Sequence, residues 1–365
     1  MLEPEDEPRP LLRRGWTTGA CATAAARAAY EALVGGNFPD PVSIRLPRGQ
    51  RPAFALALHE RGFGYARAGV VKDAGDDPDV THGALVIARV TPGPPGSGVG
   101  FRAGEGVGVV TRPGLPLATG EPAINPMPRQ MIREAIEEAA TAYGAASDVV
   151  VEISIPDGEK IAERTLNGRL GIIGGLSILG TTGIVVPFSC AAWIASIHRG
   201  VDVARGMGLT HVAGATGATS EAAVQALHNL PEAALIDMGD FAGGMLKYLR
   251  LHPVPRVTVA GGMGKMTKLG QGCLDLHSKR GAVDLGFLAG FAPSDLAERI
   301  RAANTAKHAF ELAEAEGLDL ATCVADAAWA TAAKTLARSG SQLEILVFDR
   351  DGGFLARSGF KAVDS

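Results

Sequence analysis

The sequence predicts two domains: an N-terminal α+β domain, then a Rossmann-like α/β domain with a mainly parallel sheet. Three observations carry this. The chain has 365 residues, about twice an ordinary domain. Its rhythm changes midway, from short strand-like runs with two helical stretches to regular strand–helix alternation, the pattern of a parallel sheet covered on both faces. Glycine is abundant, 48 residues, and gathers at the ends of apolar runs, where tight turns and close backbone approaches need it. The expected boundaries are a disordered leader over 1–11, the α+β domain over 12–166 and the α/β domain over 167–365 with a helical C-terminal part.

Thr17-Thr18-Gly19 opens an alanine-rich run that a threonine can cap and Gly35-Gly36 can end. Val42–Leu46, Ala53–His59, Gly64–Val71 and Ala84–Val90 read as strands between turn residues. Pro92–Gly100 reads as a loop and Val107–Thr111 as a further strand. From Pro128, the apolar positions Met131, Ile132, Ala135, Ile136, Ala139 and Tyr143 keep a helical period. Val149–Ile155 and Lys160–Thr165 read as a hairpin around Pro156-Asp157-Gly158. Beyond 167, Leu170–Ile173, His211–Ala213, Ala234–Ile236, Arg256–Ala260 and Leu343–Phe348 read as strands. Helices fall at Ala191–Met207, Ser220–Leu227, Phe241–Leu249 and between Pro293 and Arg338.

Composition narrows the function. A net charge of −4 gives no basic excess for nucleic acid. Cys21, Cys190, Cys273 and Cys323 form no C-x-x-C pair, against a disulfide framework or zinc ribbon. The N-terminal run lacks an apolar signal-type core. Gly183–Ile197 is broken by Pro187 and Ser189 and is too short to span a bilayer. A cytoplasmic protein, off the membrane, is expected.

Six segments can carry chemistry. Gly171 to Gly183 contains Gly174, Gly175, Ser177, Gly180, Thr181 and Thr182. Such a loop can offer N–H groups and hydroxyls to an anion or let a nucleotide-like ligand lie on the backbone; a structural turn is the lesser alternative. In Ala215–Glu221, Ser220 or Thr219 can cap a helix whose positive end suits an anion, with Thr216 and Gly217 before it. Asp237 and Asp240 at a strand end can bind a ribose or act as a base; for Asp240 a helix cap is the plain alternative. Gly261–Lys268 lacks P-loop spacing, since Val259 stands where the first glycine belongs, yet Lys265 and Lys268 can meet anions. His277 nearby is a candidate acid/base, with Asp275, Ser278 and Arg280 extending the polar cluster. Lys72–Asp79 is acidic, but Ala84 stands at the twelfth position of an EF-hand count from Asp73, which excludes that calcium site. Arg112 and Arg129 sit beside rigid proline and glycine residues, a good mount for carboxylate recognition.

Taken together, GWTTGACATAAA, VKDAGDDPDVTHG, GEGVGVVTRPGL, GEPAINPMPRQMI, NGRLGIIGGLSILGTTGIVVPFSCAAW, DMGDFAGGMLKYLR and GGMGKMTKLGQG resemble, in the same order, the CbiD family of cobalt-precorrin-5B carbon-1 methyltransferases. The resemblance implies methyl transfer from S-adenosyl-L-methionine to carbon 1 of the precorrin ring, giving cobalt-precorrin-6A on the cobalt-early route to B12. It implies a cytoplasmic enzyme whose partner is a small-molecule substrate; the cobalt arrives with that substrate, and no metal of the protein's own is expected. A homo-oligomer stays open. On this reading Gly174, Gly175, Ser177, Gly180, Thr181, Thr182, Thr216, Gly217, Ser220 and Asp237 hold the donor. Thr17, Thr18, Lys72, Arg112, Arg129, Lys265 and Lys268 meet the carboxylate-rich substrate. Asp240, Asp73 and His277 are the candidate catalytic groups. An NAD(P)-dependent reductase and a non-catalytic tetrapyrrole carrier are the rival readings.

Overall fold

The computed structural model describes residues 12–278 and 281–363; the expected leader and Arg280 lie outside them. The chain divides into two compact units, Met1–Ser189 and Cys190–Ser365.

The first unit is built on helix α1 (Thr18–Gly35), whose alanines are fully buried. Thr17 caps it, its Oγ1 accepting from the Ala20 N–H at 3.2 Å, and Gly36 ends it in the left-handed region at φ 88°. Alanine is what lets this helix lie close to the sheet beneath it, because a larger side chain would hold the layers apart. The sheet comprises β1 (Leu58–Gly62), β2 (Tyr65–Val71), β3 (Leu85–Pro92), β4 (Val99–Ala103) and β5 (Val149–Ser154), in the order β1-β2-β3-β5-β4. Its pairings are antiparallel except β4 with β5. Helix α2 (Pro126–Tyr143) packs against α1, burying Met131, Ile132, Ala135, Ile136 and Ala139 as its period predicts, while Tyr143 stays exposed.

Three expectations change here. Val149–Ile155 forms no hairpin: Gly158–Ala162 is helical, and β5 inserts between β3 and β4. β4 occupies the end of the expected loop, because its partner lies some fifty residues away and local periodicity cannot report it. Ile172–Ile173 is no strand of the parallel sheet. It pairs antiparallel with Val109–Val110, and Ile184–Val185 pairs with Gly15–Trp16. Residues 167–189 therefore belong to the first unit, and the division falls after Ser189 rather than after residue 166.

The second unit begins with α3 (Cys190–Gly206) and then alternates: β6 (His211–Ala215), α4 (Ala218–His228), β7 (Leu235–Asp237), α5 (Ala242–Leu251), β8 (Arg256–Gly262) and α6 (Met263–Gly270). Helices α7 (Ser294–Arg301), α8 (Ala306–Ala315) and α9 (Leu320–Leu336) lead to β9 (Gln342–Phe348). β7, β6, β8 and β9 are mutually parallel in that order; β10 (Phe354–Arg357) and Lys361–Ala362 return antiparallel along β9. Alternate residues of β9 enter different cores. Leu343, Ile345 and Val347 join the cluster with α5, α6 and α9, whereas Leu346 and Phe348 join Val224 of α4. Both faces are thus covered, the condition under which parallel sheets are stable. No described helix is long and apolar enough to cross a membrane.

A polar knot closes the opposite, N-terminal edge of this sheet. Glu344, 1% exposed, accepts from His228 Nε2 at 2.6 Å and from Thr258 Oγ1 at 3.4 Å. Thr258 having spent its proton, His211 Nε2–H donates to its oxygen at 2.8 Å, which places a ring proton on Nε2. Burial, then the nearby His228 and Arg256, push the His211 pKa down to about 4. Below the ordinary value of about 6.5 the unfolded chain takes up a proton that the folded chain refuses. Stability from this group is therefore full above that value and is lost as pH falls toward 4. Thermal melts between pH 7.5 and 4.5 should show a steeper fall for wild type than for His211→Asn; equal slopes would refute the assignment.

Candidate functional site

The chain runs outward from β6 to β7, then back across β6 to β8, so the direction of winding reverses between β6 and β8. At such a reversal two loops leave in opposite directions and open a crevice at the carboxyl ends of the strands. Ala215 is in register with both Asp237 and Ala260, so the three strand ends are level. The loops that follow are Thr216-Gly217, Met238–Asp240 and the Gly262–Lys265 turn into α6.

These loops are tied together. The Thr216 N–H donates to the Ala260 carbonyl at 3.0 Å, and Lys265 Nζ donates to the Thr216 carbonyl at 2.7 Å. Lys265 also sits 3.2 Å from Asp240 Oδ1, which is buried without a hydrogen bond among the described residues. A side chain on Gly261 would strike Thr216 Oγ1 at 2.8 Å, so these loops touch only because 261 is glycine. At Gly217 a side chain would meet nothing within 4 Å.

Two capping expectations change. α4 starts at Ala218 with Gly217 as its cap residue and no side-chain cap; Ser220 Oγ donates back to the Gly217 carbonyl at 2.9 Å. Gly217 itself has no side chain with which to accept from the first-turn N–H groups. Asp240 does not cap α5, whose cap residue is Phe241; the Asp240 carbonyl instead accepts from the Leu276 N–H at 2.8 Å. Lys268 is buried with its ammonium on the Leu276 carbonyl at 3.1 Å, and the His277 N–H donates to Asp275 Oδ1 at 3.1 Å. Trp193 of α3, not singled out in the sequence because it lies in an apolar run, joins this edge. Its Nε1–H donates to the Asp237 carbonyl at 3.2 Å.

The remaining candidates lie in the first unit, where they interlock loops. Thr17 and Thr18 begin α1, and Thr18 Oγ1 accepts from the Leu179 N–H at 3.0 Å. A side chain on Gly180 would run into Thr17, and Thr182 Oγ1 accepts from the Ile184 N–H at 3.2 Å; Thr181 stands between them. Ser177 is buried on Asn167, whose amide donates to the Gly175 carbonyl at 2.9 Å. Gly106, Gly158 and Gly175 cross backbone on backbone, and a side chain on any of them would overlap main-chain atoms of its neighbours. Gly174, at φ 85°, makes the turn before that crossing. Arg112 Nη1 donates to the Arg169 carbonyl at 2.8 Å. Arg129 clamps the carbonyls of Ile124 and Pro122 at 2.7 and 3.1 Å and pairs with Glu121 at 3.0 Å. Asp73 accepts from both terminal guanidinium nitrogens of Arg13, a partner the sequence did not suggest, and from the Gly75 N–H. Those bonds hold its carboxyl down at about 2, where it is a weak base at neutral pH. Lys72 is 1% exposed, its Nζ 2.6 Å from Asp79, whose pKa is lowered by that bond and by Thr81 against the opposing effect of its own burial.

The family model described as CbiD matches residues 5–187, next to the boundary of the first unit, and CbiD, C-terminal domain, matches residues 275–359. A protein of Bradyrhizobium sp. (strain BTAi1 / ATCC BAA-1182) named cobalt-precorrin-5B C(1)-methyltransferase is 64% identical over 362 residues, covering 98% of this chain and 96% of its own. One of the same name from Agrobacterium fabrum (strain C58 / ATCC 33970) is 64% identical over 352 residues, covering 95% and 93%. The crystal structure of cobalamin biosynthesis protein (cbiD) from Archaeoglobus fulgidus is 28% identical, covering 84% and 85%, at a TM-score of 0.40. The chain belongs to the CbiD family.

The Lys72–Asp79 pair gives a stability test. Removing one partner of a buried pair strands the other, so Lys72→Ala should lose about 3 kcal/mol in urea unfolding. Lys72→Met with Asp79→Asn should recover most of it. Full stability in the single variant would show that Lys72 is free for another role.

Proposed function

We propose that this protein is an S-adenosylmethionine-dependent C-methyltransferase of cobalamin biosynthesis that methylates carbon 1 of cobalt-precorrin-5B, yielding cobalt-precorrin-6A in the cytoplasm. The observation that carries the reading is kinship over nearly the whole chain with enzymes bearing that name. The second unit is assigned as a Rossmann-like domain with the donor at its order reversal.

The residues at that edge fit the donor. Bound there, S-adenosylmethionine supplies an electrophilic methyl on a sulfonium. The uncapped start of α4 offers N–H groups to a carboxylate. Gly217 leaves room for a ligand against the backbone. Asp237 is assigned to the ribose hydroxyls. Asp240, half-buried beside Lys265, is assigned to fix Lys265 and to set a negative charge near the cationic sulfur; His277 stays the candidate acid/base on the segment after α6. Thr216 and Ser220 shape the rim. Lys265 is the cation of this edge assigned to a substrate carboxylate, and Lys268 braces the turn below it. In the first unit, Thr17, Thr18, Lys72, Arg112 and Arg129 are assigned to hold the loops that present a surface to the macrocycle. Gly174, Gly175, Ser177, Gly180, Thr181 and Thr182 are assigned to that surface rather than to the donor, and Asp73 to its shape rather than to proton transfer. Placing the sulfonium in line with the ring carbon and excluding water are then the protein's main contributions.

Anaerobic incubation with cobalt-precorrin-5B and methyl-labelled S-adenosylmethionine, followed by mass spectrometry, should show one labelled methyl on the ring. Tight precorrin binding without transfer would favour a carrier, and binding of a nicotinamide cofactor instead of the donor a reductase. Gly217 has an extended φ of 164° that any residue can adopt. Gly217→Val should therefore fold, yet weaken S-adenosylhomocysteine binding by about tenfold or more, equivalent to about 1.4 kcal/mol. Unchanged affinity would remove the donor from this edge.

A further inference from the structure

Trp193 has a geometry that packing within its own unit does not account for. Tryptophan on a helix normally buries its ring, yet Trp193 is 44% exposed. It is not loose. Its Nε1–H is bonded to the Asp237 carbonyl, which holds the indole over the carboxyl end of β7. One ring face is also pressed down. A side-chain atom on Gly239 would lie 3.4 Å from Nε1, Cε2 and Cζ2 alike, so the glycine points at the ring plane. Gly239 has φ 52°, and the chain turns there so that its bare Cα meets the indole. The result is a flat aromatic surface with its inner face on backbone, its edge anchored and its outer side open. An anchored indole loses little freedom when a ligand covers it, the condition for efficient stacking.

Its position selects the ligand. The strand end beneath it carries Asp237, in register with Ala215, which precedes the Thr216-Gly217 turn and the uncapped start of α4. A ligand with its carboxylate at α4 and its ribose at Asp237 has its base beyond β7, where Trp193 stands. We propose that Trp193 is the stacking wall for the adenine ring of the methyl donor, a binding role resting on the donor-site reading above. The chemistry required of the ligand is a planar, neutral, nitrogen-rich aromatic ring, which stacks on indole without needing a charge.

The test uses the full-length protein with two probes, S-adenosylhomocysteine and adenosine, and S-adenosylmethionine itself for comparison, all three affinities read by calorimetry. Trp193→Ala should raise Kd for both by about tenfold or more, the loss that removing a base-stacking partner brings. Trp193→Phe should recover most of the affinity. The chain's other tryptophans are Trp16 and Trp329. In a Trp16→Phe/Trp329→Phe background, adenosine should quench the remaining indole fluorescence, a signal that a merely structural tryptophan would not give. Wild-type affinity in a folded Trp193→Ala protein would overturn the proposal. A loss confined to S-adenosylmethionine, with S-adenosylhomocysteine unaffected, would also overturn it, because the indole would then be meeting the sulfonium. Failure of the wild-type protein to bind any of the three would instead reject the donor site as a whole.

Discussion

The pairing of β6 with two parallel neighbours, β7 on one side and β8 on the other, is the constraint on which the second unit rests. It levels three strand ends and sends their loops apart. It also forces the unit to be covered on both faces, since a parallel sheet has no face it can leave to water. Everything assigned to the donor follows from this one choice of order: the bare start of α4, the aspartates after β7 and the glycine–lysine turn after β8. The loops meet at van der Waals range only because Gly261 has no side chain beside Thr216. The edge is thus rigid for the same reason that it is open.

The first unit solves a different problem. Its sheet is covered by α1 and α2, and much of its remaining length is loop. Those loops are held by side-chain bonds to the backbone as well as by apolar burial, and some of the bonds join segments far apart in the chain. Thr18 holds Leu179, Arg112 holds Arg169, and Arg129 holds Ile124 and Pro122. Side chains that look like ligand-binding groups in a list of polar residues are here occupied with backbone carbonyls. A buried lysine or arginine so engaged satisfies polar groups that a loop cannot satisfy by itself.

Helices were legible wherever period and caps agreed, as with Thr17 and Gly36 around α1 and the buried stripe of α2. The four parallel strands were legible as apolar runs, three of them with glycine at or just past the end: Gly214, Gly239 and Gly261-Gly262. What escaped was long-range pairing. Ile172–Ile173 looks like any short buried strand, and nothing local says that its partner is Val109–Val110 in the first unit rather than the parallel sheet. The same limit misplaced the domain boundary and hid β4. For the candidate site, Thr216, Gly217, Asp237, Asp240 and Lys265 did come together, because a single topological rule places strand ends. The role of Arg13 against Asp73 was invisible, since it depends on a contact across sixty residues between two loops. Trp193 escaped for a related reason: its partner is a main-chain carbonyl, which no residue pattern encodes.

The crossing of Gly106, Gly158 and Gly175 bears on how such a chain can diverge. In most tight contacts a larger residue at one position is offset by a smaller one opposite. Here each glycine faces main chain, and the main chain has no smaller version of itself. No partner substitution can make room, so these positions stand outside the usual traffic of compensating change. The lengths of the three loops that meet there are tied together with them: adding a residue to one would slide its glycine off the crossing. Each of the three positions is therefore held by main-chain overlap, and a change in the length of one loop would have to be matched in the other two.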